Sequence, residues 1–174
     1  SLRGLGALAQ LTALNLSSNR VEVMDAVALS PLRKLRRLDL RSNMLRRLGG
    51  LAGLVSLESL NLAHNKIASL GGLCQLTPAH ALRVLDLRDN RVTALDELRP
   101  VTDDGAPATP ATPLTIPSLR SIVFKAQSQS SSQRPDGNMI CRQRGYVAAV
   151  CRLAPGVETI DGATREEAEA AEAA

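Results

Sequence analysis

Aromatic side chains are almost absent from this chain of 174 residues, which has no Trp, one Phe and one Tyr. Hydrophobic residues still make up 44% of the sequence, and a chain of this length can form one domain with a real core. That core must consist mainly of Leu, Val, Ile and Ala. Such a composition favours thin repeating layers over one large core built around aromatic rings.

Cysteines are few, and long apolar runs are missing. The three cysteines, Cys74, Cys141 and Cys151, show no CxxC spacing, and their odd number predicts reduced thiols in an intracellular protein. A Cys141–Cys151 disulfide is the alternative. No apolar run approaches the ~18 residues that a membrane span needs, and no secretory signal is visible. We therefore expect no membrane partner.

Leucine is abundant, and it recurs in one phrase of the form LxxLxLxxNxφ, where φ is aliphatic. Four complete copies occur: LTALNLSSNRV at 11–21, LRRLDLRSNML at 35–45, LESLNLAHNKI at 57–67 and LRVLDLRDNRV at 82–92. A weaker fifth copy at 119–129 has Gln127 where the other copies have Asn. A period of 22 to 25 residues is typical of a solenoid built from stacked repeats.

Alternation within each phrase predicts a strand with its leucines inward and Asn15, Asp39, Asn61 and Asp86 outward. We expect five parallel strands, at about 12–16, 36–40, 58–62, 83–87 and 120–124. The recurring asparagine follows each strand, at Asn19, Asn43, Asn65 and Asn90. A buried side-chain amide there satisfies both donors and acceptors of adjacent turns. We therefore predict that these four asparagines form a buried ladder, in which each side chain is hydrogen-bonded to the backbone of neighbouring repeats. Ordinary turn asparagines are the alternative interpretation.

Leucines at every third position follow the second strand, at Leu45, Leu48, Leu51 and Leu54. This step is compatible with short 3₁₀ or helical turns on the convex side. The same step opens the chain at Leu2, so residues 1–10 are interpreted as the tail of an earlier repeat and the chain as a piece of a longer array.

The phrase resembles the leucine-rich repeat, and its 22-residue step resembles the short intracellular class of that repeat. The resemblance implies an α/β solenoid with about five parallel strands on the concave face, short helical or 3₁₀ turns on the convex face and a C-terminal helical cap. Residues 137–162 are similar to the cap of this class. The matching residues are Asn138, Tyr146, Val150, Pro155 and Asp161.

Met139 stands in place of the usual Pro of this cap, and Ala154 in place of the usual Leu. An amphipathic helix is expected to cover the last repeat here, with the Tyr146 hydroxyl reaching a backbone group.

Three segments are predicted: repeats over 1–136, the cap over 137–162 and the start of an acidic helical exit over 163–174. The repeats contain a proline-rich insertion at 100–117 and a polar loop at 128–136. The insertion is interpreted as tolerated extra chain rather than as a partner-binding arm. The Ala/Glu-rich exit has strong helix propensity and is a candidate for the first turns of a coiled coil.

No motif for catalysis or for metal binding is visible. His64 stands at an outward position without a carboxylate or Cys at ligand spacing, and Cys141 and Cys151 have no companion His. The paired glycines do not form a phosphate-binding loop. We therefore predict a non-enzyme without catalytic residues, metal or cofactor.

Charge indicates a partner. Residues 1–165 carry 21 cationic and 13 acidic side chains, a net charge of +8. The predicted partner-binding residues on the concave face are Arg37, Arg41, Asn61, His64, Arg88 and Lys125. A basic strip there favours an acidic protein surface, and the alternative is an ordinary solvated face. Nucleic acid is the runner-up partner class, since a net charge of +8 attracts it, but it is disfavoured because outward aromatic side chains for base stacking are missing. The oligomeric state is left open.

The repeat layout, the cap and the helical exit look most similar to the N-terminal repeat domain of centrosomal and ciliary leucine-rich repeat coiled-coil proteins. That resemblance implies a cytoskeletal scaffold at a centriole, basal body or axoneme, in the cytoplasm. A phosphatase-regulatory or RNA-processing adaptor of spliceosomal type is the alternative function.

Overall fold

A computed structural model describes residues 4–76, 80–93, 116–125 and 138–173 of the chain. Five three-residue strands follow the repeated phrases: β1 (Ala13–Asn15), β2 (Arg37–Asp39), β3 (Ser59–Asn61), β4 (Val84–Asp86) and β5 (Ser121–Val123). Each pairs in parallel with the next, with the central residues Leu14, Leu38, Leu60, Leu85 and Ile122 in register. The predicted parallel sheet is confirmed, although each strand is two residues shorter than expected.

Two further strands extend the sheet beyond β5. β6 (Thr159–Ile160) pairs in parallel with β5, and β7 (Ala163–Thr164) folds back to pair antiparallel with β6. Neither strand was predicted from the sequence, because two residues are too few to show the alternation that marks a strand.

Stacked aliphatic side chains form the core. The inward leucines of β2, β3 and β4 are at most 1% exposed, whereas Leu14 beside them is only half-buried. β1 is the edge strand of the described sheet, so a second layer covers its leucines on one side alone. The two aromatic residues meet where the cap packs against the fifth repeat, because Phe124 follows β5 and Tyr146 is the first residue of the cap helix. The rings of Phe124 and Tyr146 meet edge to face at 5.8 Å, a favourable geometry.

The predicted asparagine ladder is present at three of its four positions. Asn65 is representative: its Oδ1 accepts from Leu45 N at 3.0 Å, and its Nδ2 donates to Leu40 O and Leu62 O, each at 3.0 Å. The side chains of Asn43 and Asn90 make the equivalent bonds one repeat before and after. All three are buried. Each amide thus joins two adjacent turns, which an apolar side chain cannot do.

Asn19 departs from the prediction, because it is exposed rather than buried. Its Nδ2 donates to Leu16 O and Ser17 O, both in its own turn. The described residues before β1 contain a 3₁₀ turn, Leu5–Ala7, and no strand. No preceding turn in the described part of the chain therefore covers this side chain.

Asn138 supplies the next rung after Asn90. Its Oδ1 accepts from Val92 N at 3.0 Å, and its Nδ2 donates to Leu87 O and Phe124 O at 2.7 and 2.9 Å. Asn138 was predicted to be a cap residue and not a ladder residue. In the fifth copy of the phrase the position of the asparagine is taken by Gln127, which lies outside the described residues. The cap and the ladder therefore share a residue.

The convex side consists of short helical pieces. α1 (Ala26–Leu29) begins at Asp25, whose Oδ1 accepts from Val27 N at 2.9 Å, as an N-cap does. A 3₁₀ turn spans Gly71–Gln75. Gly72 lies so close to the previous repeat that a Cβ there would be 2.2 Å from Leu48 O. These pieces match the predicted 3₁₀ or helical turns.

The chain ends in two helices. α2 (Tyr146–Leu153) buries Val147 and Val150 over the last repeat. α3 (Arg165–Ala173) has no buried residue and returns along α2, where Glu172 Oε1 accepts from Val147 N at 3.1 Å. A 3₁₀ turn, Met139–Arg142, precedes α2.

Most of the predicted insertion at 100–117 lies outside the described residues, as does the polar loop at 128–136. Ile116, at the end of the insertion, is buried, and its N–H donates to Leu153 O at 2.8 Å. The end of the insertion is therefore tied to the cap helix.

Candidate protein-binding surface

The concave face is formed by the outward side chains of β1 to β5 and of the residues just after them. The last residue of each of β1 to β4 is an Asn or Asp, and we call these four residues the central column: Asn15, Asp39, Asn61 and Asp86. In each of them the side-chain Oδ1 accepts the backbone N–H of the residue two positions further on, at 2.9 to 3.1 Å, and this hydrogen bond ends the strand. Side chains of Asn and Asp make such local bonds readily. This column has a structural role that the sequence analysis did not assign.

Asn61, one of the predicted partner-binding residues, belongs to this structural column. It is half-buried, and its Oδ1 accepts from Ala63 N at 3.1 Å. Ala63 itself is fully buried although it occupies an outward position in the repeat. Repeat three therefore presents little free polar surface at the centre of the concave face.

Arg88, a second predicted residue, is paired within its own repeat. Its Nη2 lies 2.6 Å from Asp86 Oδ2, and its Nε lies 3.0 Å from both carboxylate oxygens. The hydrogen bond to Asp86 raises the pKa of Arg88, and burial opposes that shift. Much of the positive charge expected at this position is therefore neutralised by its neighbour.

Lys125, at the C-terminal end of the face, is partnered as well. Its Nζ lies 3.9 Å from Asp161 Oδ2 and 5.8 Å from the centre of the Tyr146 ring. Asp161 also accepts from the backbone N–H groups of Phe124 and Lys125, at 2.7 and 2.9 Å. Val123, the last residue of β5, has no side-chain acceptor. Asp161 therefore accepts the backbone N–H groups that follow β5, as the strand-ending Asp or Asn does after each earlier strand.

The Tyr146 hydroxyl donates to Asp161 Oδ2 at 3.0 Å, so the expected partner in the backbone was wrong. Sequence similarity predicted that the tyrosine is a cap residue, but it did not predict that a strand-ending carboxylate would face its hydroxyl. Pro155, the remaining predicted cap residue, is exposed, and its carbonyl accepts from Arg165 Nη1 at 3.3 Å.

Among the predicted partner-binding cations of the concave face, Arg37 and Arg41 are exposed and have no ion-pair partner among the described residues. Both belong to repeat two and flank Asp39. Arg36, beside them, pairs with Glu58 at 3.4 Å. The free positive charge is thus concentrated in repeat two rather than spread along the strip.

His64 faces solvent, as predicted, and its Nδ1 lies 3.1 Å from Asp89 Oδ2. Both residues occupy the same left-handed turn position in neighbouring repeats, with φ of 55° and 51°; Ser18 and Ser42 occupy it in the earlier ones. Sequence spacing could not reveal this pair, because His64 and Asp89 meet only when one repeat stacks on the next.

The cysteines are free thiols. Burial raises the pKa of the Cys141 thiol to about 11, and the Asp161 charge adds to the shift. This thiol is therefore protonated at neutral pH, which disfavours nucleophilic chemistry. Among the described residues, no group of three His, Cys, Asp or Glu side chains is placed to hold a metal ion.

Comparisons with known proteins agree with this architecture. The leucine-rich repeat family model matches residues 9–67, about a third of the chain. A comparison with curated protein sequences gives no significant match. Within the described parts of the chain, no helix is both long enough and apolar enough to cross a membrane.

Two solved structures are similar in fold. One is a chain in the crystal structure of the Drosophila melanogaster SNF/U2A' complex, with a TM-score of 0.61 and 20% identity over 91% of this chain and 79% of that one. The other is an internalin C2 from Listeria monocytogenes, with a TM-score of 0.51 and 24% identity over 70% of this chain and 45% of that one.

The parallel sheet, the asparagine ladder and the family match together define the class: the chain folds as a leucine-rich repeat solenoid with a C-terminal helical cap. Proteins of this architecture typically bind other proteins through the extended surface of the sheet. The described residues present such a surface, and two of its exposed cations, Arg37 and Arg41, have no ion-pair partner among the described residues.

Proposed function

We propose that the chain is a non-catalytic scaffold whose concave face binds an acidic segment of another protein. The observation that supports this proposal is the pair of exposed arginines, Arg37 and Arg41, with no ion-pair partner among the described residues. A guanidinium group binds a carboxylate through two parallel hydrogen bonds. Two such groups on either side of Asp39 favour an acidic chain that crosses repeat two.

Arg88, Lys125 and His64 extend this surface along the sheet. Each already has an acidic neighbour, so an incoming carboxylate must compete with Asp86, Asp161 or Asp89. Exposed ion pairs are individually weak, about 0–1 kcal/mol, and exchange of partners is feasible at Lys125 and His64. We assign these residues a secondary contribution and Arg37 and Arg41 the main one.

The test uses a peptide of repeated Asp-Gly, which forms no stable helix, and its uncharged Asn-Gly counterpart. Wild-type protein is compared with Arg37→Glu/Arg41→Glu and with a control of equal charge change, Arg33→Glu/Arg152→Glu, whose residues are exposed and lie off the concave face. Arg88 is left intact, because a glutamate there would stand beside Asp86. Circular dichroism and urea midpoints verify that each variant folds.

We expect the concave double variant to bind the Asp-Gly peptide more than about tenfold more weakly than wild type, a loss of about 1.4 kcal/mol. The control variant should bind nearly as wild type does, and added salt should weaken all binding. A folded concave variant with unchanged affinity would show that this face is solvated surface and would overturn the proposal.

We propose the cytoskeleton at a centriole, basal body or axoneme as the cellular setting. The support for this setting is the resemblance of the repeat layout, the cap and the helical exit in the sequence to centrosomal and ciliary repeat proteins. The alternative is an RNA-processing adaptor, and here the fold likeness to a chain of the SNF/U2A' complex is the relevant observation. An oligouridine of matched charge separates the two. Tighter binding of oligouridine than of the Asp-Gly peptide, lost in the concave variant, would favour the adaptor.

A further inference from the structure

A second exposed surface follows the asparagine ladder, where the chain leaves each strand. The residue two positions after each ladder asparagine is buried, at Val21, Leu45, Ile67, Val92 and Ile140. The described residues one, three and four positions after each ladder asparagine are exposed or half-buried, and we call the surface that they form the descending face. It is separate from the concave face, because the ladder asparagines stand between the two.

Successive repeats are tightly aligned along the descending face. Met44 N donates to Val21 O at 2.9 Å, Lys66 N to Leu45 O at 2.8 Å and Arg91 N to Ile67 O at 2.8 Å. An isolated parallel bridge joins Arg47 to Ser69. The repeats thus follow one another here at close to the strand spacing, about 4.8 Å.

The descending face is strongly basic. Its cations are Arg20, Arg46, Arg47, Lys66, Arg91 and Arg142, all exposed, and none forms an ion pair with a described residue. Glu22 is the one carboxylate at the equivalent described positions. Each of the first four repeats thus contributes at least one cation that has no ion-pair partner among the described residues, directly after the ladder asparagine in repeats one, three and four and at Arg46 and Arg47 in repeat two. On the concave face, by contrast, Arg88 and Lys125 have acidic partners.

Apolar side chains stand among these cations. Val23 is 71% exposed, Met139 51% and Met44 37%. Val23 and Arg47 are equivalent, because each lies four residues after the ladder asparagine of its repeat. Met44 and Met139 directly follow a ladder asparagine, as Lys66 and Arg91 do in their repeats. Flexible Met side chains adapt readily to a partner surface, so the face combines charge with exposed apolar contact area.

We propose that the descending face is a second docking surface, which binds an acidic amphipathic helix of a partner protein lying along the solenoid axis. Spacing favours a helix over an extended chain. One turn of an α-helix advances about 5.4 Å, and neighbouring repeats are ~4.8 Å apart. If one helical turn contacts each repeat, the helix is out of step with the solenoid by about 2 Å after three repeats. In an extended chain every second side chain points the same way, at intervals of ~6.7 Å. Such a chain is out of step with the repeats by about 6 Å after three repeats.

The composition of the face favours a protein helix over other anions. No aromatic residue stands at the described positions of the face, so stacking of nucleic-acid bases has no platform there. An anionic bilayer has no register along the solenoid, whereas a helix with one carboxylate per turn matches one cation per repeat. Exposed Met and Val side chains pair with apolar residues beside those carboxylates.

The experiment uses a helix-forming peptide with Glu along one stripe and Leu along the adjacent stripe. Its controls are the peptide with Gln in place of Glu and a scrambled peptide of the same composition. The protein variant is Arg46→Glu/Lys66→Glu/Arg91→Glu. A charge-matched variant, Arg33→Glu/Arg83→Glu/Arg152→Glu, alters exposed cations off this face, and Arg37→Glu/Arg41→Glu alters the concave face alone.

We expect the descending-face variant to fold and to bind the Glu/Leu peptide more than about tenfold more weakly than wild type. The charge-matched and concave-face variants should retain affinity, and the scrambled peptide should bind weakly to all. Loss of affinity in the concave-face variant alone, or equal losses in both triple variants, would overturn the proposal. So would tighter binding of oligouridine or of phosphatidylserine vesicles through the same three residues. Failure of the Asp-Gly peptide test leaves this result unaffected, because the two tests alter different residues.

Discussion

Asn90 and Asn138 occupy neighbouring rungs of one ladder, because both side-chain amides donate to the carbonyl oxygen of Leu87, at 3.0 and 2.7 Å. Asn138 also binds Phe124 O, in the repeat that follows. The segment between these asparagines includes residues 94–115 and 126–137, outside the described parts of the chain. The ladder is nevertheless continuous from repeat two into the cap, so the cap is an extension of the solenoid rather than a separate cover.

The contrast between Asn65 and its neighbour His64 tests the ladder. Asn65→Ala leaves the buried Leu45 N without its acceptor, and an unmet buried group costs about 1–3 kcal/mol. It also removes one of the two amide donors to Leu40 O and to Leu62 O, which keep their bonds from Asn43 and Asn90. His64→Ala removes an exposed contact with Asp89, which is worth about 0–1 kcal/mol. We expect urea unfolding to show the larger loss for Asn65→Ala. Equal midpoints for the two variants would contradict the ladder.

Asn138→Ala should destabilise the protein more than Asn19→Ala. The first change removes bonds to three different segments, at Val92, Leu87 and Phe124. The second removes bonds within one exposed turn. We expect a loss of about 1–3 kcal/mol for the buried residue and a few tenths for the exposed one. Thermal or urea unfolding of both variants measures the difference, and a larger effect at position 19 would refute the continuous ladder.

Tyr146 and Asp161 should be energetically coupled. Tyr146→Phe keeps the edge-to-face contact with Phe124 but removes the hydroxyl that donates to Asp161, so we expect a loss of about 0.5–1.5 kcal/mol. Asp161→Ala should cost more, because it also releases the N–H groups of Phe124 and Lys125. The double variant should lose less than the sum of the two single losses. Strict additivity would show that the hydrogen bond contributes nothing to stability.

Gly72→Ala should be clearly destabilising, whereas Gly49→Ala should be tolerated. A Cβ at residue 72 would lie 2.2 Å from Leu48 O, so the backbone of one repeat must move away from the next. At residue 49 the nearest atom would be Met24 O at 3.7 Å, an ordinary contact. Overpacking of this kind costs about 1–3 kcal/mol. Urea midpoints of the two variants check the difference, and similar midpoints would mean that the repeats are not in tight contact there.

Stability should fall as the pH rises from about 9 to about 11. Burial raises the pKa of Cys141 from 9.0 to about 11, so over that range the unfolded thiol has lost its proton while the folded thiol retains it. The unfolded state is then favoured by linkage. Burial likewise raises the pKa of Tyr146. Denaturation at several pH values should show a shallower decline for Cys141→Ala than for wild type; an unchanged slope would contradict the assigned burial of the thiol.

Repeated phrases made the sheet and three of the ladder rungs predictable from the sequence. The burial of Leu38 and Leu60, the parallel pairing of their strands and the positions of Asn43 and Asn65 all depend on spacing within one repeat. Local spacing also identified the outward cations Arg37 and Arg41, whose exposure requires no knowledge of distant contacts.

The pairing of polar side chains could not be predicted in the same way. Arg88 was predicted to bind a partner, yet its guanidinium is paired with Asp86 two residues away. His64 meets Asp89 of the next repeat, and Lys125 meets Asp161 of the cap. A side chain with several rotatable bonds can reach many partners, and the sequence does not state which of them is near.

By itself the sequence determined the repeat, the parallel direction of its strands and the apolar side of each turn. The regularly spaced leucines of every repeat are buried together only when successive repeats stack in the same orientation. Only the tertiary structure decided that Asn138 completes the ladder, that Asp161 ends the last full strand and that β6 and β7 extend the sheet. Those features arise where the repeat pattern breaks and segments far apart in sequence meet. At those places a polar side chain binds whichever backbone group lacks a hydrogen-bond partner and lies within hydrogen-bonding distance.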